Sequence, residues 1–262
     1  MVNGEQFFCS GPRSQKYVAL KESHFKGHRC AGCWHDHFHC ICEHLIPLIF
    51  KTATRFLIYQ HYTDYLNAGD DAKLLLRAAP ERTTLFVYGR EGDDARLKSE
   101  CERDPAATVL LFPSESALTA AEYLSQCRVD SKEPPAAHNE SGNTAAQPIP
   151  GTLSIIVLDA TWRHAKAMHR HFCKANPGIR QVQLHPTTLS VYARTQTQLD
   201  RICTVEALAL FLQEYGEHPS VCSTLVEYIK LNNKALRGKV AAVASLYASE
   251  GGHPAWYFGR KV

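Results

Sequence analysis

The chain has 262 residues, 45% of them hydrophobic and 21% charged, which suffices for one sizeable core or two small ones. A formal charge of +3 with histidine neutral is too small to imply a nucleic-acid partner, so that case rests on where the charges lie. No apolar run approaches the length of a membrane span, and the opening stretch MVNGEQFFCSGPRSQKYVAL lacks the apolar segment of a secretory signal; the expectation is a soluble protein of a reducing compartment, cytoplasmic or nuclear.

Residues 1–23 show no clear periodicity and are expected to form a loose arm. Residues 24–47 hold a cysteine–histidine cluster. Of the ten cysteines, four lie in the pattern Cys30-x2-Cys33-x6-Cys40-x-Cys42 and the others are scattered singly. A C-x2-C turn aims two sulfurs at one ion, and a second close pair completes a tetrahedron, the geometry of structural zinc. The competing reading is a set of reduced core thiols. His35, His37 and His39 fall inside the loop and could replace a ligand. Four cysteines leave no open position for water or substrate, which favours a structural site over a catalytic one.

From Arg55 onward, apolar runs alternate with helical patterns. Strands are predicted at 55–60, 83–88, 108–112, 153–158 and 179–184, and helices at 64–79, 93–103, 116–127, 162–174 and 203–215. One or two more helices are expected in 219–247. Continuous apolar strands alternating with helices imply an α/β fold with a mostly parallel sheet. This catalytic-type domain is placed at 48–247 and a tail at 248–262. Residues 129–150 are rich in Pro, Ser, Asn and Ala and are expected to be a disordered insertion.

The strand at 153–158 runs into Asp159-Ala160-Thr161-Trp162 and then a helix. In open α/β sheets ligands bind at the carboxyl ends of strands, where Asp159 falls. The plainer alternative is that Asp159 or Thr161 caps the helix and Trp162 is core. On the following helix Arg163, Lys166, Arg170 and Lys174 share one face, opposite a stripe of Trp162, Ala165, Met168, His169 and Phe172. A cationic face beside a strand-end carboxylate suits a phosphate backbone held near a reactive group, although charge runs on helices are ordinarily solvated surface.

Taken in order, the motifs resemble those of the DTW-domain family, the tRNA-uridine aminocarboxypropyltransferases. The resemblance rests on the cysteine cluster followed by Leu45-Ile46-Pro47, on Gln60-His61 ending a strand, and on the loop Leu111-Phe112-Pro113-Ser114-Glu115-Ser116-Ala117. It continues through Asp159-Ala160-Thr161-Trp162 to Ile202-Cys203-Thr204-Val205-Glu206-Ala207, and so spans most of the chain. Two departures stand out. His61-Tyr62-Thr63-Asp64 replaces the family's His-Pro-x-Glu, with no recognisable Asn-Thr after it, and Cys203 replaces a serine.

The resemblance implies a SPOUT-like α/β fold with a C-terminal trefoil knot. It implies binding of S-adenosylmethionine, transfer of its 3-amino-3-carboxypropyl group to N3 of a tRNA uridine, and release of methylthioadenosine. Asp159 is then the candidate base for the N3 proton. The cofactor cradle is expected from Leu111, Pro113, Ser114, Glu115, Asp159, Ala160, Thr161, Trp162, Ile202, Thr204 and Glu206, with Thr204 or Glu206 alternatively capping their helix. Arg163, Lys166, Arg170, Lys174 and Arg194 are the candidate RNA or carboxylate contacts, and Cys30, Cys33, Cys40 and Cys42 the zinc ligands. Methyl transfer, aminocarboxypropyl transfer to ribosomal RNA, and a non-enzymatic zinc RNA-binding module are the competing functions.

Overall fold

The computed structural model describes residues 12–130, 152–186, 190–191 and 202–249; for Pro12, 128–130 and 239–249 it describes the backbone alone. The expected 129–150 insertion, the 248–262 tail and Arg194 therefore lie wholly or almost wholly outside the described residues.

Six strands form one sheet: β1 (Thr54–His61), β2 (Thr83–Tyr88), β3 (Thr108–Leu111), β4 (Leu118–Thr119), β5 (Leu153–Asp159) and β6 (Arg180–Gln183). Their spatial order is β2-β1-β5-β3-β6-β4 and every pairing is parallel. All seven residues of β5, the strand between β1 and β3, are buried. The cause is the alternation of the sheet: Ile155 and Val157 point to one core, Ile156 and Leu158 to the other. The short β4, not expected from sequence, is two residues long and pairs only at the sheet edge.

Each face is covered by helices. On one side α3 (Asp93–Arg103) and α5 (Trp162–Ala175) bury Leu97, Cys101, Ala165, Met168 and Phe172 against Leu57, Tyr59, Leu110 and Ile156. On the other side lie the short α2 (Leu75–Ala78), α4 (Ala120–Asp130), α6 (Thr204–Tyr215) and α7 (Pro219–Ser249). They pack Leu75, Tyr123, Leu208, Phe211, Leu212, Leu225 and Ile229 on Phe56, Ile58, Val109 and Ile155. Helix α6 starts at a capping box between Cys203 and Glu206 and stops at Gly216, whose φ of 97° closes the last turn.

The N-terminal arm needs correcting. Residues Pro12–Phe25 form helix α1. Ser14 and Val18 lie one turn apart and are buried, and Val18 packs with Trp34, Tyr65 and Val87. The stripe is too narrow, and its partners too distant in sequence, for periodicity to reveal it. The helix expected over 64–79 is also shorter in fact. Residues 62–71 are turns, held by bonds such as Asp64 N–H to the His61 carbonyl (2.9 Å) and Asn67 N–H to the Asp64 carbonyl (3.0 Å).

Candidate active site and cysteine knuckle

The parallel register sets Gln60 of β1 directly beside Asp159 of β5, so the two side chains meet at the carboxyl edge of the sheet. Gln60 Nε2 donates to Asp159 Oδ2 at 2.7 Å. From the opposite side Thr204, the first residue of α6, donates its hydroxyl to Asp159 Oδ1 at 3.0 Å. Both carboxylate oxygens are thus fixed by residues far away in sequence, and Asp159 is only 4% exposed. It caps nothing: α5 begins after Thr161, which has N-cap geometry but makes no side-chain cap bond.

Burial is the largest cause of a rise in the Asp159 pKa to about 7; the negative charge of Asp71 adds to it, and the bonds from Thr204 and Gln60 oppose it. A carboxylate tuned to neutrality is suited to accept a proton from a weak acid. Asp71, also buried, accepts the Val205 N–H at 2.7 Å and is itself shifted upward by burial. Lys73 is 1% exposed, donates to the Ala68 carbonyl and is held down to about 8 by burial. Its ammonium is the cation that Asp70, Asp71 and Asp159 feel from this side. Sequence reasoning missed Asp71 and Lys73. Two charges followed by a leucine run read as a solvated helix face, and only the packing of α6 over them puts them inside.

Gln60 Oε1 is buried and has no hydrogen-bond partner among the described residues. An acceptor left open beside a buried carboxylate is where a bound ammonium or N–H group would be received. The neighbouring strand β3 runs into Pro113, Ser114 and Glu115, of which Pro113 and Glu115 are exposed and Ser114 donates to Gln181 Oε1 at 2.7 Å. His169 Nε2 meets the same oxygen at 2.7 Å and stacks on Phe112 at 4.3 Å. Trp162 lies 6.3 Å from the Phe112 ring. Leu111 is core, and Ala160 and Ile202 are partly buried. Glu206 is turned inward to accept the N–H groups of Cys203 (3.0 Å) and Val191 (2.6 Å) and the Ser190 hydroxyl, so it holds the entry to α6 together.

His61 and His164 stack face to face, 4.0 Å apart with planes 13° from parallel. Thr63 Oγ1 lies 2.7 Å from His61 Nδ1 and 3.5 Å from His164 Nδ1. Burial, then His164 and Lys21, hold His61 down to about 3, so it is neutral at physiological pH. Asp64 lies close enough for the three to resemble a metal set. Stacked rings, however, carry their lone pairs in parallel planes, which do not converge on one ion. The pair packs beside Tyr88 at the carboxyl end of β1, on the sheet face that α5 covers.

On α5 the four cations Arg163, Lys166, Arg170 and Lys174 are all exposed. The opposite stripe is inside, with Ala165, Met168 and Phe172 buried and Trp162 and His169 partly so.

The four cysteines converge. Cys30 and Cys42 sulfurs are 3.5 Å apart, Cys33 and Cys40 sulfurs 3.7 Å, and all four lie within 4.8 Å of one another. A tetrahedron with bonds of about 2.3 Å has edges of this size, so the cluster can hold one metal ion. The knuckle closes through Cys30 N–H to the His35 carbonyl and Trp34 N–H to the Cys30 carbonyl, each 2.8 Å. Trp34 sits at φ 62°, a conformation costing about 1–2 kcal/mol. Burial of its indole against Tyr65, with the Lys73 ammonium 6.0 Å from the ring, offsets that cost.

A family model for the DTW domain matches residues 27–236, from the knuckle to α7. The chain belongs to the DTW-domain family. A curated relative, "tRNA-uridine aminocarboxypropyltransferase A" of Arabidopsis thaliana, is 25% identical over 169 residues, which are 61% of this chain and 57% of that protein. The chain thus spans little more than half of that relative's length. No solved structure matches the chain. Among the described residues no helix is long and apolar enough to cross a membrane.

Proposed function

We propose that this DTW-domain protein modifies tRNA, transferring the 3-amino-3-carboxypropyl group of S-adenosylmethionine to N3 of a uridine. The observation that carries the reading is Asp159: a buried carboxylate at a strand end, held at both oxygens and tuned to about 7. A structural carboxylate would gain nothing from that tuning, whereas a base for a weak acid such as uridine N3–H needs it. Family membership and the name of the Arabidopsis relative support the same reaction class.

S-adenosylmethionine, when bound, supplies an electrophilic methylene carbon and a sulfonium that leaves as a neutral thioether, methylthioadenosine. The protein's residues do the rest. Asp159 would accept the proton of uridine N3. Thr204 and Gln60 keep its oxygens aimed, and Gln60 Oε1 would be an acceptor for the ammonium of the cofactor. Phe112 to Glu115, Ala160 to Trp162 and Ile202 would hold the rest of the cofactor.

The exposed cations Arg163, Lys166, Arg170 and Lys174 would meet the phosphate backbone. The four thiolates would hold a structural zinc, since soft sulfur donors in a closed tetrahedral set suit that ion. We also infer a SPOUT-like fold with a C-terminal trefoil knot, on the strength of the family membership.

Nucleoside mass spectrometry of tRNA treated with the protein and S-adenosylmethionine tests the reading. The expected product is uridine carrying the aminocarboxypropyl group, with equimolar methylthioadenosine. A methylated nucleoside would mean a methyltransferase, and no product with intact RNA binding would mean a binding module.

A further inference from the structure

The cysteine knuckle carries a feature that a purely structural zinc site does not require. Phe38 is 91% exposed, its ring meeting that of His39 edge to face at 5.2 Å. It stands on the turn His37–His39 between Cys33 and Cys40. That turn is rigid: His39 N–H bonds to the Asp36 carbonyl at 2.9 Å, and Asp36 pairs with Arg29 across a β-bridge and an ion pair of 3.8 Å. The free energy of burying a phenylalanine is therefore forgone at a position the backbone holds still.

His39 lies against α7, its Cδ2 3.8 Å from where a Cβ on Gly238 would be. Lys234 stands one turn earlier on the same side of α7, next to Arg237, and both are exposed. A fixed, exposed aromatic ring next in the chain to His39, which lies against the part of α7 that carries Lys234 and Arg237, combines a stacking platform with cations for phosphate, the two elements by which proteins hold unpaired nucleotides. A protein partner fits less well. The ring is flanked in the chain by His37 and His39 rather than by apolar residues, whereas an interface core is apolar.

We propose that the knuckle is a second RNA contact, with Phe38 stacking on an unpaired base of the tRNA and Lys234 and Arg237 on the adjoining phosphates. This rests on the tRNA reading above for the identity of the ligand, and it lies on a different surface from the cationic face of α5.

The test uses the full, metal-loaded chain and unmodified tRNA. Phe38→Ala should weaken tRNA binding about tenfold, within the range of losing one base stack, while metal content and S-adenosylmethionine binding stay unchanged. Phe38→Trp should keep the affinity, and its added indole emission should be quenched by tRNA. Replacing Lys234 and Arg237 together by Ala should flatten the salt dependence by about 1.4, roughly 0.7 per single-strand phosphate contact. Wild-type affinity in Phe38→Ala together with unquenched Phe38→Trp would overturn the proposal. So would loss of self-association in Phe38→Ala with RNA binding intact, which would make the ring a protein contact. If the chain binds tRNA through Phe38 yet forms no modified uridine, the contact stands and the proposed reaction falls; normal modification with an indifferent Phe38 gives the reverse.

Discussion

The two candidate sites are built in opposite ways. The knuckle draws its four sulfurs from thirteen consecutive residues, Cys30 to Cys42, and displays its aromatic ring to solvent. The Asp159 site draws Gln60, Asp71, Asp159 and Thr204 from three separate parts of the chain and conceals its carboxylate. A local site can be closed by one ion; a dispersed site needs the whole sheet to exist first. The knuckle should therefore fail by losing its metal, and the Asp159 site by losing its charge balance.

The largest effect expected is on the knuckle. Changing Cys30 and Cys40 together to Ser should abolish metal binding and lower stability by several kcal/mol, because ion binding to a closed thiolate site is coupled to folding. Elemental analysis and thermal melting check this. Undiminished metal content would show that the four sulfurs are not the ligands. Whatever protein remains folded should keep the Asp159 chemistry, and loss of that chemistry in a fully folded variant would break the contrast between the two regions.

Next in size is Asp159→Asn. Turnover at saturating S-adenosylmethionine and tRNA should fall about a hundredfold or more, with both ligands still bound. Gln60 can rotate its amide so that its free Oε1 meets the new Asn amide, so the fold tolerates the change. The same substitution should raise stability at pH 8. The wild-type carboxyl has its pKa raised in the folded state to about 7 from 3.8, so its favourable contribution is full below about pH 4 and is lost as pH rises through 7. The penalty removed is on the order of a few kcal/mol at pH 8. Near-wild-type turnover in single-turnover assays would remove Asp159 as the base.

A smaller effect follows from the same tuning. The single-turnover rate should climb about tenfold per pH unit below 7 and level above it, the profile of one base deprotonating at about 7. Thr204→Val removes a hydrogen bond to the charged form and should move that midpoint upward. A midpoint that stays put would mean that Thr204 does not touch the reacting carboxylate in solution.

Smallest is the charge on α5. Replacing Arg163 and Arg170 by Ala should flatten the salt dependence of tRNA binding by about two, close to one per lost phosphate contact. An unchanged slope would make that face solvated surface and leave the RNA to the knuckle side.

Several of these features are legible in the sequence. The apolar run LSIIVL ending in Asp159 marked both a buried strand and a strand-end carboxylate, because continuous apolar residues are what a doubly covered strand requires. The cysteine spacing marked a metal-sized cluster, because its ligands are neighbours along the chain and need no fold to bring them together. The stripe on α5 followed from helical periodicity alone. What no local pattern could supply was the set of partners around the carboxylate. Gln60 reaches Asp159 through strand register, and Thr204 reaches it because α6 packs over the sheet edge. Asp71 and Lys73, polar residues that composition assigns to the surface, become buried charges for the same reason. Helix α1 was missed because Val18 finds its apolar contacts on Trp34, Tyr65 and Val87, far along the chain. Residue chemistry and local spacing are properties of the sequence, whereas the pKa of Asp159 depends on what surrounds it, and those surroundings exist only once distant segments have packed together.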